Sequence, residues 1–167
     1  MKYLFVLIGL VYSVIGSANP ALDEQASDYQ LAKTEQELAA EAVVDKLILA
    51  YNAQNIRKFI ELYAEDVEFY MYPQTLMFTG KEKLIERYGL MFKKMHCLKA
   101  TSIKRITHGS IVIDHETSEI CSKEAGVVDK RSEFVTSYQI ENGKIKKVVF
   151  FVKCENRQGY AQCFSGT

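Results

Sequence analysis

Leu47–Tyr88 reads LILAYNAQNIRKFIELYAEDVEFYMYPQTLMFTGKEKLIERY, and this stretch decides the fold. A helix ends in the polar break Asn52-Ala53-Gln54-Asn55. Ile56, Phe59, Leu62 and Tyr63 then recur at helical spacing and predict a short second helix. The acidic corner Glu65-Asp66 leads into a strand. There Val67, Phe69 and Met71 share one face, and Glu68, Tyr70 and Tyr72 the other. Pro73 closes that strand. Gly80 opens a third helix, for which Thr79 and Glu82 have capping-box spacing.

Upstream, Thr34 and Glu37 make a second capping box. The helix that follows puts Val44, Leu47, Ile48 and Tyr51 on one face. Downstream the chain turns to β structure, with runs over 97–108 and 110–121 about the turn Thr107-His108-Gly109-Ser110. One antiparallel register sets Lys104 against Asp114, Lys99 against Glu119, Ile106 against Val112, Thr101 against Thr117 and Leu98 against Ile120. These pair types stabilise ladders, and the same register puts Cys97 opposite Cys121 and Ile103 opposite His115. A tight His-Gly turn would lose both charge pairs, and a bulge would shift part of the ladder. In the last hairpin Asn142-Gly143 favours a type I′ turn. It pairs Ile140 with Ile145, Val135 with Phe150, and Phe134 with Phe151. One face then carries Phe134, Thr136, Tyr138, Ile140, Val149 and Phe151.

This order of elements resembles the SnoaL-like branch of the nuclear transport factor 2-like superfamily, which includes the ketosteroid isomerases. The likeness is carried by Tyr51-Asn52-Ala53, by Leu62-Tyr63-Ala64-Glu65-Asp66 with its strand, and by Gly80 through Tyr88, and it covers residues 34–153. It implies an α+β architecture: three N-terminal helices packed on a strongly curved, mixed, mostly antiparallel sheet. This cystatin-like cone would enclose a deep pocket. From the first half of the domain the expected lining is Leu47, Tyr51, Phe59, Tyr63, Phe69 and Met71. Tyr88, Phe134, Thr136 and Tyr138 complete it. The family often pairs through the outer sheet face, where Val135, Val148, Phe150 and Val152 form an apolar patch, so a homodimer is expected.

The resemblance also allows the isomerase machinery to be placed residue by residue. In those enzymes a strand carboxylate moves the proton, and a helix tyrosine and a protonated aspartate hold the oxyanion. The general-base position falls on Met71, or on Tyr72 if the strand shifts by one. The tyrosine falls on Leu47 and the second aspartate on Thr136. None of these side chains can take the role, so ketosteroid isomerase chemistry is not expected. Tyr51, Tyr63, Tyr88, Tyr138 and Thr136 can bring polar tips into the pocket, though buried tyrosines commonly serve as core residues with a tied hydroxyl. His115 is a further pocket candidate, against an ordinary place in the sheet, and Glu133 alternates toward solvent.

A chain of 167 residues suits one domain with a sizeable core. Residues 1–18 have the pattern of a signal peptide: Lys2, an apolar run from Leu4 to Ile15, then Gly16-Ser17-Ala18. The run is short for a membrane span. Residues 19–33 read as a mobile leader, 34–153 as the domain and 154–167 as a tail. The charges balance at 21 basic and 21 acidic residues, which argues against nucleic acid as a partner. Lys144, Lys146 and Lys147 flank a solvated turn. There is no stable membrane span once the signal is gone, and the expected location is secreted or periplasmic.

Four cysteines in an exported chain suggest disulfides. The hairpin register pairs Cys97 with Cys121, which leaves Cys154 with Cys163. The competing view is four buried free thiols. No C-x-x-C pair occurs, and His96, His108 and His115 lack metal-ligand spacing. There is no Gly-rich phosphate loop or cofactor fingerprint, so no cofactor is expected.

Two functional readings remain. The first is a non-catalytic exported domain that binds a small apolar molecule or a protein partner. The second is an isomerase, cyclase or dehydratase acting on a polyketide- or steroid-like substrate through an unfamiliar polar set. A closed apolar pocket favours the first, and a buried carboxylate at the pocket floor favours the second. The apolar lining inclines the reading toward the first. The N-terminal pattern predicts a mature chain beginning near Asn19, and intact-mass measurement on protein from its native host checks it. A mature protein that still begins at Met1 would count against cleavage.

Overall fold

The first helix starts where its cap says it should. Glu37 N–H donates to the Thr34 hydroxyl at 3.2 Å, and Thr34 N–H donates back to the Glu37 carboxylate at 2.8 Å. This satisfies donors that a helix start leaves orphaned and launches α1 (Glu35–Asn52). The computed structural model describes residues 32–151. The signal peptide, the leader up to residue 31, Val152, and the expected Cys154–Cys163 pair with its tail lie outside the described residues. Among the described residues no helix is long and apolar enough to cross a membrane.

α1 buries Ala40, Val43, Val44, Leu47 and Ala50 at helical spacing. The Asn55 side chain caps α2 (Ile56–Glu61) by accepting Lys58 N–H at 3.1 Å. β1 (Tyr63–Met71) alternates as expected, with Val67, Phe69 and Met71 buried. β2 (Thr75–Thr79) folds back on β1, a strand too short for its alternation to register in the sequence. It also displaces the capping box expected of Thr79 and Glu82. Thr79 is the last strand residue and Gly80, at φ 85°, is the cap of α3 (Lys81–Lys94). Lys83 rather than Glu82 therefore stands at the third helical position, and no side-chain cap forms.

Four longer strands complete the sheet: β3 (Cys97–His108), β4 (Ile111–Cys121), β5 (Lys130–Glu141) and β6 (Lys144–Phe151). The sheet order is β2-β1-β6-β5-β4-β3. Every neighbouring pair is antiparallel except β1 with β6, which is parallel. The architecture is thus the expected α+β one, with helices packed on a mixed, mostly antiparallel, curved sheet.

Two bulges change the register inside the hairpins. In β3–β4 the expected pairs hold from Cys97↔Cys121 to Ser102↔Glu116. Ile103 is then extra, and the partners become Lys104↔His115, Arg105↔Asp114, Ile106↔Ile113 and Thr107↔Val112. The expected Lys104–Asp114, Ile106–Val112 and Ile103–His115 pairs are therefore replaced. An extra residue reverses the in–out phase of the strand beyond it, so Arg105 takes the inward place. In β5–β6 the turn pairs Ile140 with Ile145, but Lys146 is extra and Thr136 pairs with Phe150, Val135 with Phe151. Val148 and Phe150 consequently face the helices, not the outer surface. Val149 and Phe151 leave the inner face and join Val135 outside, where Tyr72 stacks on Phe151 at 4.9 Å.

The core is a cluster of rings around Phe59. Its centroid lies 4.8 Å from Tyr88, 5.2 Å from Tyr63, 5.3 Å from Phe92 and 6.1 Å from Tyr51. Tilted contacts of this kind set positive ring edges against negative faces. Phe69 and Phe78 stack at 4.4 Å between β1 and β2.

Cys97 and Cys121 are bridged, with Cα atoms 4.8 Å apart across the open end of the β3–β4 hairpin. Their separation of 24 residues makes the bridge worth about 3 kcal/mol in the chain-entropy model. The Cys97→Ala/Cys121→Ala variant is expected to lose about that much in urea unfolding. A midpoint equal to that of the unmodified chain would show the bridge to be energetically idle.

Candidate functional site

Strand alternation and the packing of the helices leave a cavity of about 270 Å³ between the helices and the concave sheet face. α1 contributes Leu47, Ile48 and Tyr51, and α2 contributes Phe59. Tyr63 and Phe69 come from β1, Met77 and Phe78 from β2, and Arg87, Tyr88 and Met91 from α3. The sheet floor supplies Ala100, Glu116, Ser118, Phe134, Tyr138, Val148 and Phe150. Most of this surface is apolar, and the volume is slightly below the usual ~300–1,000 Å³ of small-molecule sites.

Eight of the ten residues expected in the pocket line it. Met71 is buried at the far end of β1, outside the cavity. Thr136 is fully buried in the sheet and its hydroxyl lacks a well-formed hydrogen bond, although it lies close enough to Glu116 to favour the ionised carboxyl. His115 points to the outer face and meets Glu133 Oε1 at 2.7 Å, so it is not a pocket residue.

Glu116 is the group the sequence did not disclose. It is only 4 % exposed, and its Oε1 accepts a hydrogen bond from the Tyr138 hydroxyl at 2.7 Å. Burial pushes its carboxyl up to about 7, and the nearby Asp114 adds to the rise. Tyr138, Arg105 and Thr136 act in the opposite sense. The tyrosines around it respond to the same environment. Burial raises the hydroxyls of Tyr63, Tyr88 and Tyr138 far above their ordinary range, and that of Tyr51 less so, with Ser118 beside it. They are therefore hydrogen-bond donors at neutral pH and not bases.

Below Glu116 on the same strand face lies Asp114, fully buried. Arg105 grips it with two bonds of 2.7 Å, Nε to Oδ1 and Nη2 to Oδ2, and reaches Asp45 of α1 at 2.6 Å through Nη1. The Asp114 bonds, followed by those to Asp45, raise the Arg105 guanidinium further and keep it charged, against the pull of burial. Lys33 and Thr107 bond Glu41, and Gly109 N–H donates to Glu37. Glu37, Glu41 and Asp45, one helical turn apart, thus tie α1 along the edge strand. Asn52 continues the seam, its amide bonded to both the N–H and C=O of Ala100 at 2.6 and 2.9 Å. Among the described residues no group of three His, Cys, Asp or Glu side chains is arranged to hold a metal ion.

A SnoaL-like domain model matches residues 44–148. Similar solved structures include a proposed SnoaL-like polyketide cyclase from Jannaschia sp. CCS1. It is 14 % identical at TM-score 0.61, over 74 % of this chain and 91 % of that one. An NTF2-like protein from Anabaena variabilis matches at 14 % and 0.61, over 75 % and 96 %. An uncharacterised cystatin-fold protein from Novosphingobium aromaticivorans matches at 20 % and 0.59, over 67 % and 96 %. These likenesses concern the fold. No curated protein matches the chain in sequence.

The raised carboxyl has a consequence for stability. The folded chain holds the Glu116 proton more tightly than the unfolded chain. The stability this contributes is full below the unfolded value of 4.5 and is lost as pH rises through about 7. The Glu116→Gln variant is expected to lose less of its melting temperature than the unmodified chain between about pH 5 and 8. Parallel pH profiles for the two proteins would refute the assignment.

Proposed function

We propose, since the chain belongs to the SnoaL-like domain family, that its pocket binds a compact, mostly apolar carbonyl compound of polyketide- or steroid-like character and moves a proton on it. The observation that carries this reading is Glu116: a carboxyl in an apolar cavity, poised near 7. A general base works best when its pKa lies near the working pH. Its carboxylate takes a proton from the carbon beside the carbonyl, and the electron pair moves onto the carbonyl oxygen. Tyr51 and Tyr88, kept protonated by burial, are the donors at hand for that oxygen. Return of the proton to the same carbon gives exchange, and to a conjugated carbon gives isomerisation. Tyr138 orients the carboxyl.

A second reading keeps the pocket and drops the chemistry: a carrier that grips its ligand's polar group with Glu116. Leu47, Met71 and Thr136, at the positions where ketosteroid isomerases carry their machinery, support it. For either reading the N-terminal pattern of Lys2, an apolar run and small residues supports export to a secreted or periplasmic site. The Cys97–Cys121 bridge adds support, because disulfides persist in oxidising compartments.

Deuterium incorporation into 2-tetralone, followed by NMR, separates the two readings. The expected outcome is protein-dependent exchange that falls by about a hundredfold or more in Glu116→Gln, while binding of 2-tetralone changes little. Binding without Glu116-dependent exchange would overturn the proton-transfer reading in favour of the carrier.

A further inference from the structure

The apolar stripe of α3 runs through Leu84, Tyr88, Met91 and Phe92, and one charged side chain interrupts it. Arg87 falls on the same side of the helix and lines the cavity. It is exposed, and its guanidinium carbon sits over the Phe78 ring, 4.8 Å from the centroid. It makes no ion pair among the described residues, whereas Arg105 and Arg131 both do. A guanidinium resting on an aromatic face is held in place while its outer N–H groups stay free to donate. Glu116, by contrast, is buried on β4. The cavity therefore offers a fixed, unpaired cation on the helix side and a proton-carrying group in the sheet, with apolar surface between them.

We infer that the ligand of this pocket is an amphipathic carboxylate, whose acid group pairs with Arg87 while its apolar body fills the cavity toward Glu116. This deepens the reading of the pocket as a small-molecule site and rests on it. The substrate class becomes a carbonyl compound that also carries a carboxylate. A planar guanidinium matches a carboxylate through two parallel N–H···O bonds, and such charge-assisted pairs are stronger than neutral ones. The cavity volume suits a molecule of one or two fused rings or a short chain. Snorkelling of Arg87 over Phe78 is the competing account. It predicts no preference for an acid.

The test uses the full chain with 2-naphthoate and its methyl ester, titrated by calorimetry against the unmodified protein, Arg87→Gln and Arg87→Lys. The unmodified protein is expected to bind the acid about tenfold more tightly than the ester, equivalent to about 1.4 kcal/mol. Added salt should weaken that preference, because Arg87 is exposed. Arg87→Gln should abolish it, and Arg87→Lys should keep part of it. If the ester binds and the acid is not preferred, or the preference survives Arg87→Gln, the role of Arg87 is overturned and the pocket reading stands. If neither compound binds, the pocket reading falls as well.

Discussion

The pairing of Arg105 with Asp114 is the constraint on which the rest of the site depends. Asp114 is fully buried, and an unanswered charge there would be untenable. The two-pronged grip of Arg105 supplies the missing charge and hydrogen bonds together. Removing one partner of such a buried pair typically costs about 3–5 kcal/mol, because the other is left stranded. Arg105 reaches Asp114 only because Ile103 bulges and turns the end of β3 through one residue. The free arm of the same guanidinium bonds Asp45 and so locates α1 over the sheet. With α1 placed, Leu47 and Tyr51 form part of the cavity wall.

The same pair tunes the group above it. Asp114 favours the protonated form of Glu116, and Arg105 favours the ionised form. Burial outweighs both, and the result is a carboxyl that changes state near neutral pH. A polar row on the concave face of a sheet would ordinarily be a liability. Here every member but one is answered. Arg105 holds Asp114, Tyr138 holds Glu116, and Tyr51 lies beside Ser118. Thr136 is the exception, and its unsatisfied hydroxyl lies next to the ionisable group.

The seam between α1 and β3 has a second use. β3 is the edge strand, and an open edge invites pairing with another chain. Asn52 occupies both backbone groups of Ala100, while Glu41 and Glu37 cover Thr107 and Gly109. The acidic row that faces this edge was present in the sequence at four-residue spacing. Its partners lie sixty or more residues away in the chain, where local periodicity does not reach.

Legible in the sequence alone were the order of every element but β2, the Thr34–Glu37 capping box, the aromatic lining from Tyr51 to Tyr88, the Cys97–Cys121 pairing and the open-end half of the β3–β4 hairpin. Each of these rests on local periodicity or on cross-strand pairs that agree with one another, and those signals survive without knowledge of the fold. The structure alone decided the turn-side half of the β3–β4 hairpin and the β5–β6 ladder beyond Ile140↔Ile145. A bulge adds one residue without leaving a mark in the periodicity, and it moves Arg105, Val148 and Phe150 to the helix side. It also decided Glu116. Asp114, Glu116 and Ser118 alternate with Ile113, His115 and Thr117, and alternation says that two faces exist, not which one the helices cover. The value of the carboxyl depended on that choice, since desolvation is a property of what packs around a group and not of the residue that carries it.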